Sequence, residues 1–304
     1  ISSLFADELK DKYVIDATKA SADYGQICEL SVRRRKMPDI EYNVEGHLAR
    51  ITLNRPESFN SFSDEMIDLW AEALEDVRDR DDIYAVLLTG KGRGFCSGGD
   101  VKAMAKGHGF FESRDDMFSS ALARKNSIWK KVHRVAFTLD QIDKPVVCKI
   151  NGPATGAGFD MALMCDIRIC AKDTKIGETY LNVGLVPGDG GTYFLPRLTS
   201  IDKAMDLFWT GKIINGEEAE KLGLVTYAVE RENLDSFTED YMKKLLSGPQ
   251  EAIKFTKRNI KYSEKLELRS ALDMISSAMG IVTELDDYHK RSKAMAEKLN
   301  RKKK

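Results

Sequence analysis

Phe95-Cys96-Ser97-Gly98-Gly99-Asp100 and Asn151-Gly152-Pro153-Ala154-Thr155-Gly156-Ala157-Gly158-Phe159-Asp160 are the two segments on which the reading of this chain turns. Each follows a short apolar run, residues 85–89 in one case and 145–150 in the other, and each precedes a helical pattern. A strand, a glycine turn and a helix start leave backbone N–H groups without intrahelical acceptors. Two such turns brought together can aim two N–H groups at one oxygen. That is how an enzyme steadies the negative oxygen of an activated carbonyl.

Outward from these turns the organisation is α/β. Residues 40–44 and 48–53 alternate as strands around the turn Glu45-Gly46-His47, and Asn54-Arg55-Pro56 ends the second. Residues 63–79 carry Met66, Leu69, Trp70, Ala73, Leu74 and Val77 at helical spacing. Residues 85–89, 145–150 and 167–171 read as buried strands. Between them, residues 105–116 read as a mobile loop and 117–142 as a long helix. Residues 156–164 start a helix, 184–191 form a second Gly-rich segment, and 201–209 and 216–222 are helical. From 234 to 298 the pattern is almost wholly helical. Ala252, Phe255, Ile260 and the 271–282 run form apolar stripes too large to leave wet.

Composition excludes several functions. With 47 basic and 48 acidic residues in 304, the formal charge is −1, and no bulk attraction for nucleic acid follows. The run Arg33-Arg34-Arg35-Lys36 lacks interleaved aromatics and reads as a solvated or disordered arm. Cys28, Cys96, Cys148, Cys165 and Cys170 form no CxxC pair, which fits a reducing compartment. Four scattered histidines give little support for a metal site. No apolar run approaches the ~18 residues of a membrane span, and residues 1–30 do not read as a signal peptide. The expectation is a cytoplasmic enzyme with no membrane or nucleic-acid partner and no metal.

Several strings, in order, resemble the crotonase (enoyl-CoA hydratase/isomerase) superfamily. They are Leu53-Asn54-Arg55-Pro56 with Asn60-Ser61-Phe62, Gly94 to Val101, Lys144-Pro145-Val146 with Ile150-Asn151-Gly152, Cys165-Asp166-Ile167-Arg168, and Gly184-Leu185-Val186-Pro187-Gly188 with Gly190-Gly191-Thr192. The resemblance runs from about Asp39 to Lys298. It implies an α/β fold: a crotonase-like spiral of ββα turns with a helical C-terminal trimerisation region. The implied division is an N-terminal extension (1–38), a spiral core with the acyl-CoA site (39–233) and the helical region (234–304), assembled as a homotrimer or homohexamer.

The same resemblance implies site residues. The N–H groups of Gly99 and Ala157 would form the oxyanion hole. Asp160 takes the place of one hydratase glutamate and is one methylene shorter. The place of the second falls on Tyr180, whose ordinary pKa of about 10 rules out a resting base. A register slip would put Glu178 there instead, and strand alternation does not decide between them. Asp189, between glycines, is a replacement base or alternatively a turn residue capping the next helix. Coenzyme A, as part of the substrate and not as a cofactor, would be held around Ser58, Phe59 and Ser61, with Gly98, Lys102 and Lys298. Phe110, Phe111, Met117 and Trp129 are expected to line the acyl pocket, with His108 and His133 nearby.

Two carboxylates in one pocket push their pKa values apart, giving an acid and a base. The resulting expectation is hydration or isomerisation of an unusual, cyclic or bulky, enoyl- or dienoyl-CoA through a thioester enolate. The alternatives are a C–C bond or thioester hydrolase, a decarboxylase or dehalogenase, and a catalytically inactive family member.

Overall fold

The structure is a computed structural model and describes residues 13–16, 31–34, 37–105 and 121–301. It divides into two units, Ile1–Pro38 and Asp39–Lys304. In the first, β1 (Tyr13–Asp16) pairs antiparallel with β2 (Ser31–Arg34). Arg33 and Arg34, expected in a solvated arm, are therefore strand residues, while Arg35 and Lys36 lie outside the described residues.

The second unit opens with the expected hairpin, β3 (Ile40–Glu45) and β4 (Leu48–Leu53), in which Ile40 faces Leu53. β5 (Ala85–Gly90), β6 (Val146–Ile150), β7 (Ala154–Thr155), β8 (Ile167–Ala171), β9 (Ile176–Gly177), β10 (Ile213–Ile214) and β11 (Tyr227–Val229) follow. One sheet runs β11-β8-β6-β5-β4-β3, parallel except for the hairpin; a smaller one runs β10-β9-β7. The chain climbs from the large sheet to the small one at β6 to β7 and again at β8 to β9. Cys96, bridged in parallel to Ala154, marks the same step after β5. These are the strand–strand–helix turns of the expected spiral.

Parallel strands covered on both faces read as continuous apolar runs. Their alternation divides them between two cores. Val86, Leu88, Val146, Cys148 and Ile150 point into the larger one. Ala85, Leu87, Val147, Ile169 and Ala171 point into the other. Helix α1 (Asp64–Asp79) covers the first, with Trp70, Leu74 and Val77 fully buried; its first turn is capped by the Ser63 hydroxyl, which accepts the Met66 N–H at 3.0 Å. Leu69 is only half-buried, and Ile67 and Ala71 bury in its stead.

Short α2 (Val101–Ala105) ends the part described before residue 121. Residues 106–120 lie outside the described residues, so the expected loop, Phe110, Phe111, Met117 and His108 do too. The helix expected over 117–142 consists of α3 (Ala121–Ser127), a π-type turn (Ile128–Val132) and α4 (His133–Gln141). Then come α5 (Ala157–Leu163), α6 (Gly191–Leu198), α7 (Ile201–Thr210) and α8 (Gly216–Lys221). α9 (Leu234–Leu246) places Leu234 and Met242 in the second core. α10 (Gln250–Ser263), α11 (Leu268–Thr283) and α12 (Asp286–Arg301) complete the helical stretch. Among the described residues no helix is long and apolar enough to cross a membrane.

Asn60 ties this frame to the loop after β5. It is fully buried with φ +55°. Its amide donates to the carbonyls of Lys91, Gly94 and Phe95 at 2.9–3.1 Å, and its oxygen accepts the Arg55 N–H at 2.8 Å. Asn60→Ala strands these buried groups. Chemical denaturation should show a loss of about 2–4 kcal/mol; a loss near zero would mean that water replaces the clasp.

Candidate active site

β5 and β6 are adjacent and in register, Leu88 beside Cys148, so the loops leaving their ends emerge together. Backbone bonds join them. The N–H groups of Phe95 and Cys96 donate to the Pro153 carbonyl at 3.1 and 3.2 Å, and that of Thr155 donates to the Cys96 carbonyl at 3.1 Å. The approach tolerates no side chain. At Gly98, with φ +78°, a Cβ would stand 2.9 Å from the Thr155 oxygen and 3.0 Å from the Ala157 nitrogen. At Gly158 it would stand 2.2 Å from the Cys96 oxygen. Glycine at both positions is thus a packing requirement.

Gly99 and Ala157 line one cavity of about 200 Å³. Among the described residues no acceptor takes either N–H; Ala157 is the first residue of α5, where the helix supplies none. Phe62, Met104, Ile128, Val183 and Leu185 make the cavity largely apolar. Trp129, expected there, is instead 54% exposed and packs edge-on against His133 and Phe137. The π-type turn at 128–132 alters the helical phase, and Ile128 faces the cavity instead.

Tyr180 and Asp189 complete the wall. The expected strand alternation through 178–180 does not occur: β9 ends at Gly177, and Tyr180–Val183 is a 3₁₀ turn. That turn puts Tyr180 on the cavity and buries Glu178 at 1% exposure. Asp189 does not cap α6, whose N-cap, Gly190, makes no side-chain bond. Its Oδ2 lies 2.7 Å from the Tyr180 hydroxyl, and Asp160 Oδ2 lies 2.6 Å from the same hydroxyl. Asp160 has no exposure and sits behind Tyr180, outside the cavity lining.

A phenol donates one proton, so Tyr180 donates to one aspartate and accepts from the other, which must itself be protonated. The electrostatics agree. Burial pushes Asp160 up to about 7; the Tyr180 hydroxyl opposes this and the Asp189 charge adds to it. Burial also raises Asp189, against the Tyr180 hydroxyl and the His133 charge. Glu178 is raised well above the usual range by burial and then by Asp160. His133 Nε2 donates to the Gly188 carbonyl at 2.8 Å and so anchors the loop bearing Asp189.

The residues expected to hold coenzyme A sit around the first loop. Ser58 Oγ donates to the Arg55 carbonyl, and the Ser97 hydroxyl donates to the Ser58 carbonyl at 3.2 Å. Phe59 is exposed under the Arg93 guanidinium, 5.4 Å from its ring centroid. Ser61 is buried, its carbonyl taken by Arg55 at 2.5 Å. Lys102 is exposed on α2, beside the cavity residues Val101 and Met104, and Lys298 is exposed on α12. Among the described residues no cluster of His, Cys, Asp or Glu could hold a metal ion.

The sequence profile described as enoyl-CoA hydratase/isomerase matches residues 43–303. The chain belongs to this family, the crotonases. It is 33% identical over 246 residues to the 1,2-epoxyphenylacetyl-CoA isomerase of Escherichia coli K12, covering 81% of this chain and 90% of that one. It is 30% identical to the short-chain-enoyl-CoA hydratase of Clostridium acetobutylicum, covering 84% and 93%. The crystal structure of an enoyl-CoA hydratase from Bacillus anthracis superposes with a TM-score of 0.76 at 28% identity, over 86% of this chain and 96% of that one. Crotonases act on acyl-CoA thioesters, and this chain is a lyase- or isomerase-type enzyme of that family.

The raised Asp160 has a stability consequence. A carboxyl with its folded pKa near 7 and its unfolded value at 3.8 binds its proton more tightly when folded. The stability so gained is full below about pH 4 and is lost as pH rises toward 7. Asp160→Asn removes this dependence. The unfolding free energy of the parent should fall relative to that of the Asn variant across that window, by up to roughly 4 kcal/mol. Parallel pH profiles would mean that Asp160 titrates alike in the folded and the unfolded protein.

Proposed function

We propose that this crotonase hydrates or isomerises a bulky or cyclic enoyl- or dienoyl-CoA through a thioester enolate. The N–H groups of Gly99 and Ala157 hold the enolate oxygen, and Asp189, Asp160 and Tyr180 move the protons. The observation that carries this reading is that two amides without acceptors share one cavity wall with the Tyr180–Asp189 pair. Donors fixed before charge develops stabilise the transition state most; losing one costs about 3–4 kcal/mol.

In this scheme Asp189 meets the substrate carbon, and Asp160 acts through the Tyr180 hydroxyl. The apolar wall of Phe62, Met104 and Ile128 suits an aromatic or alicyclic acyl group, in line with a relative named for a phenylacetyl thioester. The pantetheine and nucleotide are held along Ser58, Phe59, Ser61 and Gly98, with Lys102 at a phosphate. Thioester or C–C bond hydrolysis is the second reading. It is favoured by a tyrosine where a hydratase has a base, because a phenol orients water without removing its proton.

The test is turnover of straight-chain, aryl and cyclic enoyl- and dienoyl-CoA thioesters in heavy-oxygen water, followed by mass spectrometry. Retention of the label in a product that is still a thioester marks hydration; an unlabelled isomer marks proton transfer alone; a labelled free acid marks hydrolysis. Asp189→Asn should lower kcat by about 10²–10⁴-fold. Gly98→Ala should lower it by about 10²-fold or more by separating the loops. Parent-like rates in Asp189→Asn would refute the base assignment.

Assembly as a trimer or hexamer belongs to the same proposal. Ile260, Leu272, Met279 and Ile281 are each more than half exposed on α10 and α11. The groove there, about 720 Å³, contains the side chains of Asn259 and Ser263, whose Oδ1 and Oγ are buried without partners. A second copy would cover this surface. Light scattering should give three or six times the 34.2 kDa chain mass, and Met279→Asp should lower it. A monomeric parent would contradict the assembly.

A further inference from the structure

Glu178 has no task in the scheme above, yet it is among the least comfortable side chains in the protein. It is 1% exposed, and neither carboxyl oxygen has a hydrogen-bond partner; Asp160 Oδ1 is buried in the same condition. Among the described residues no lysine or arginine forms an ion pair with Glu178, Asp160 or Asp189. Asp160 and Asp189 flank the Tyr180 hydroxyl, Asp189 on the cavity wall, and Asp160 is the charge that acts most on Glu178. Carboxylates only accept hydrogen bonds, so an ionised Glu178 would hold two buried oxygens without a donor, a costly arrangement, whereas Asp160 has the Tyr180 hydroxyl and the Gly191 N–H to draw on. One proton on Glu178 supplies the missing bond to Asp160.

We propose that Glu178, Asp160, Tyr180 and Asp189 form one proton-sharing chain carrying a single negative charge, and that Glu178 is the positioning residue that sets its direction. The proposal rests on the preceding reading only for its catalytic consequence. With the base ready, Glu178 O–H donates to Asp160 Oδ1, Asp160 Oδ2–H donates to the Tyr180 oxygen, and Tyr180 O–H donates to ionised Asp189. When Asp189 takes a proton from substrate carbon on its other oxygen, the C–H electron pair stays on the enolate, Asp189 becomes neutral, and the three bonds behind it keep their direction. Returning the proton to another substrate carbon restores the first arrangement. No atom or electron is left over, and no charge is stranded in the interior.

The surroundings fit this account. Burial, and after it Asp160, holds Glu178 well above the usual carboxylate range, and burial raises Asp160 as well, with a hydrogen bond from Glu178 opposing that rise only slightly. The other titratable groups bearing on the chain are His133, whose charge acts on Asp189 and whose ring holds Gly188, and the Cys96 thiol, which burial pushes up to about 12 and keeps neutral. The two 2.6–2.7 Å contacts of Tyr180 require an extra proton on one aspartate whichever way the chain points.

Infrared spectroscopy of the substrate-free protein tests the proton count without any assumption about the reaction. At neutral pH the parent should show carbonyl bands of two protonated carboxylic acids. Glu178→Gln should remove one, Asp160→Asn the other, and Tyr180→Phe should shift the Asp160 band. Steady-state kinetics then tests the positioning role. Glu178→Ala, which removes the donor, should move the acid limb of the kcat/KM profile up by about one pH unit with KM little changed. Glu178→Gln, which keeps a donor of the same shape, should leave that limb at the parent position or lower and should fold if the alanine variant does not. A parent without protonated-carboxyl bands, a Glu178→Gln spectrum that loses none, or superimposable pH profiles for all three proteins would overturn the proposal. If the parent turns over no acyl-CoA, the functional reading fails and the infrared result still decides the chain.

Discussion

The contact on which the rest depends is backbone against backbone, where residues 95–98 meet residues 153–158. Two strands deliver these loops side by side, and glycines at 98 and 158 let them close to a distance that any Cβ would forbid. The bonds between the loops consume the carbonyls of Pro153 and Cys96 and leave the N–H groups of Gly99 and Ala157 unspent. Asn60 holds the first loop from beneath through three carbonyls. The large sheet, the helix over it and the Asn60 clasp together hold these two donors on the wall of a largely apolar cavity; in the proposed reaction, fixed donors at that place stabilise the developing charge.

The acid–base apparatus depends on that dryness as well. In water three carboxyl groups would ionise independently. Buried around Tyr180, all three are raised above the usual carboxylate range, and in the proposed chain the protons they retain make them both donors and acceptors. Tyr180 does not have to be a base in such a site. It joins a carboxyl group at the cavity to one inside by hydrogen bonds, so in the proposed scheme the absence of a glutamate at its position removes a direct base without removing proton traffic. Asp189 occupies the wall because His133 fixes the neighbouring carbonyl from the helix opposite.

Much of this was legible in the sequence. The hairpin, the helix over 64–79, the buried strands and both glycine turns follow from periodicity and from glycine chemistry, because local pattern and tertiary packing ask for the same residues there. The spiral came from the resemblance alone, since its turns share no repeated string. The stretch 178–183 was not legible. A two-residue strand and a 3₁₀ turn are too short for any period, so alternation gave no side for Glu178 or Tyr180. The π-type turn at 128–132 misled in a similar way: a helix with one wide turn keeps its composition but changes which residue faces in, and Ile128 stands where Trp129 was expected. For Asp189 the structure removes only the capping alternative, because its carboxyl meets Tyr180 and not a helix N–H.

The central claim is that two preorganised amides polarise a thioester carbonyl before any proton moves. The direct measurement is the infrared carbonyl frequency of carbon-13-labelled phenylacetyl-CoA, a saturated thioester that cannot be hydrated, free and bound to the protein. The account predicts a clear shift to lower frequency on binding, diminished in Gly98→Ala. A bound carbonyl that absorbs where it does in water, in a complex shown to be saturated, would contradict it.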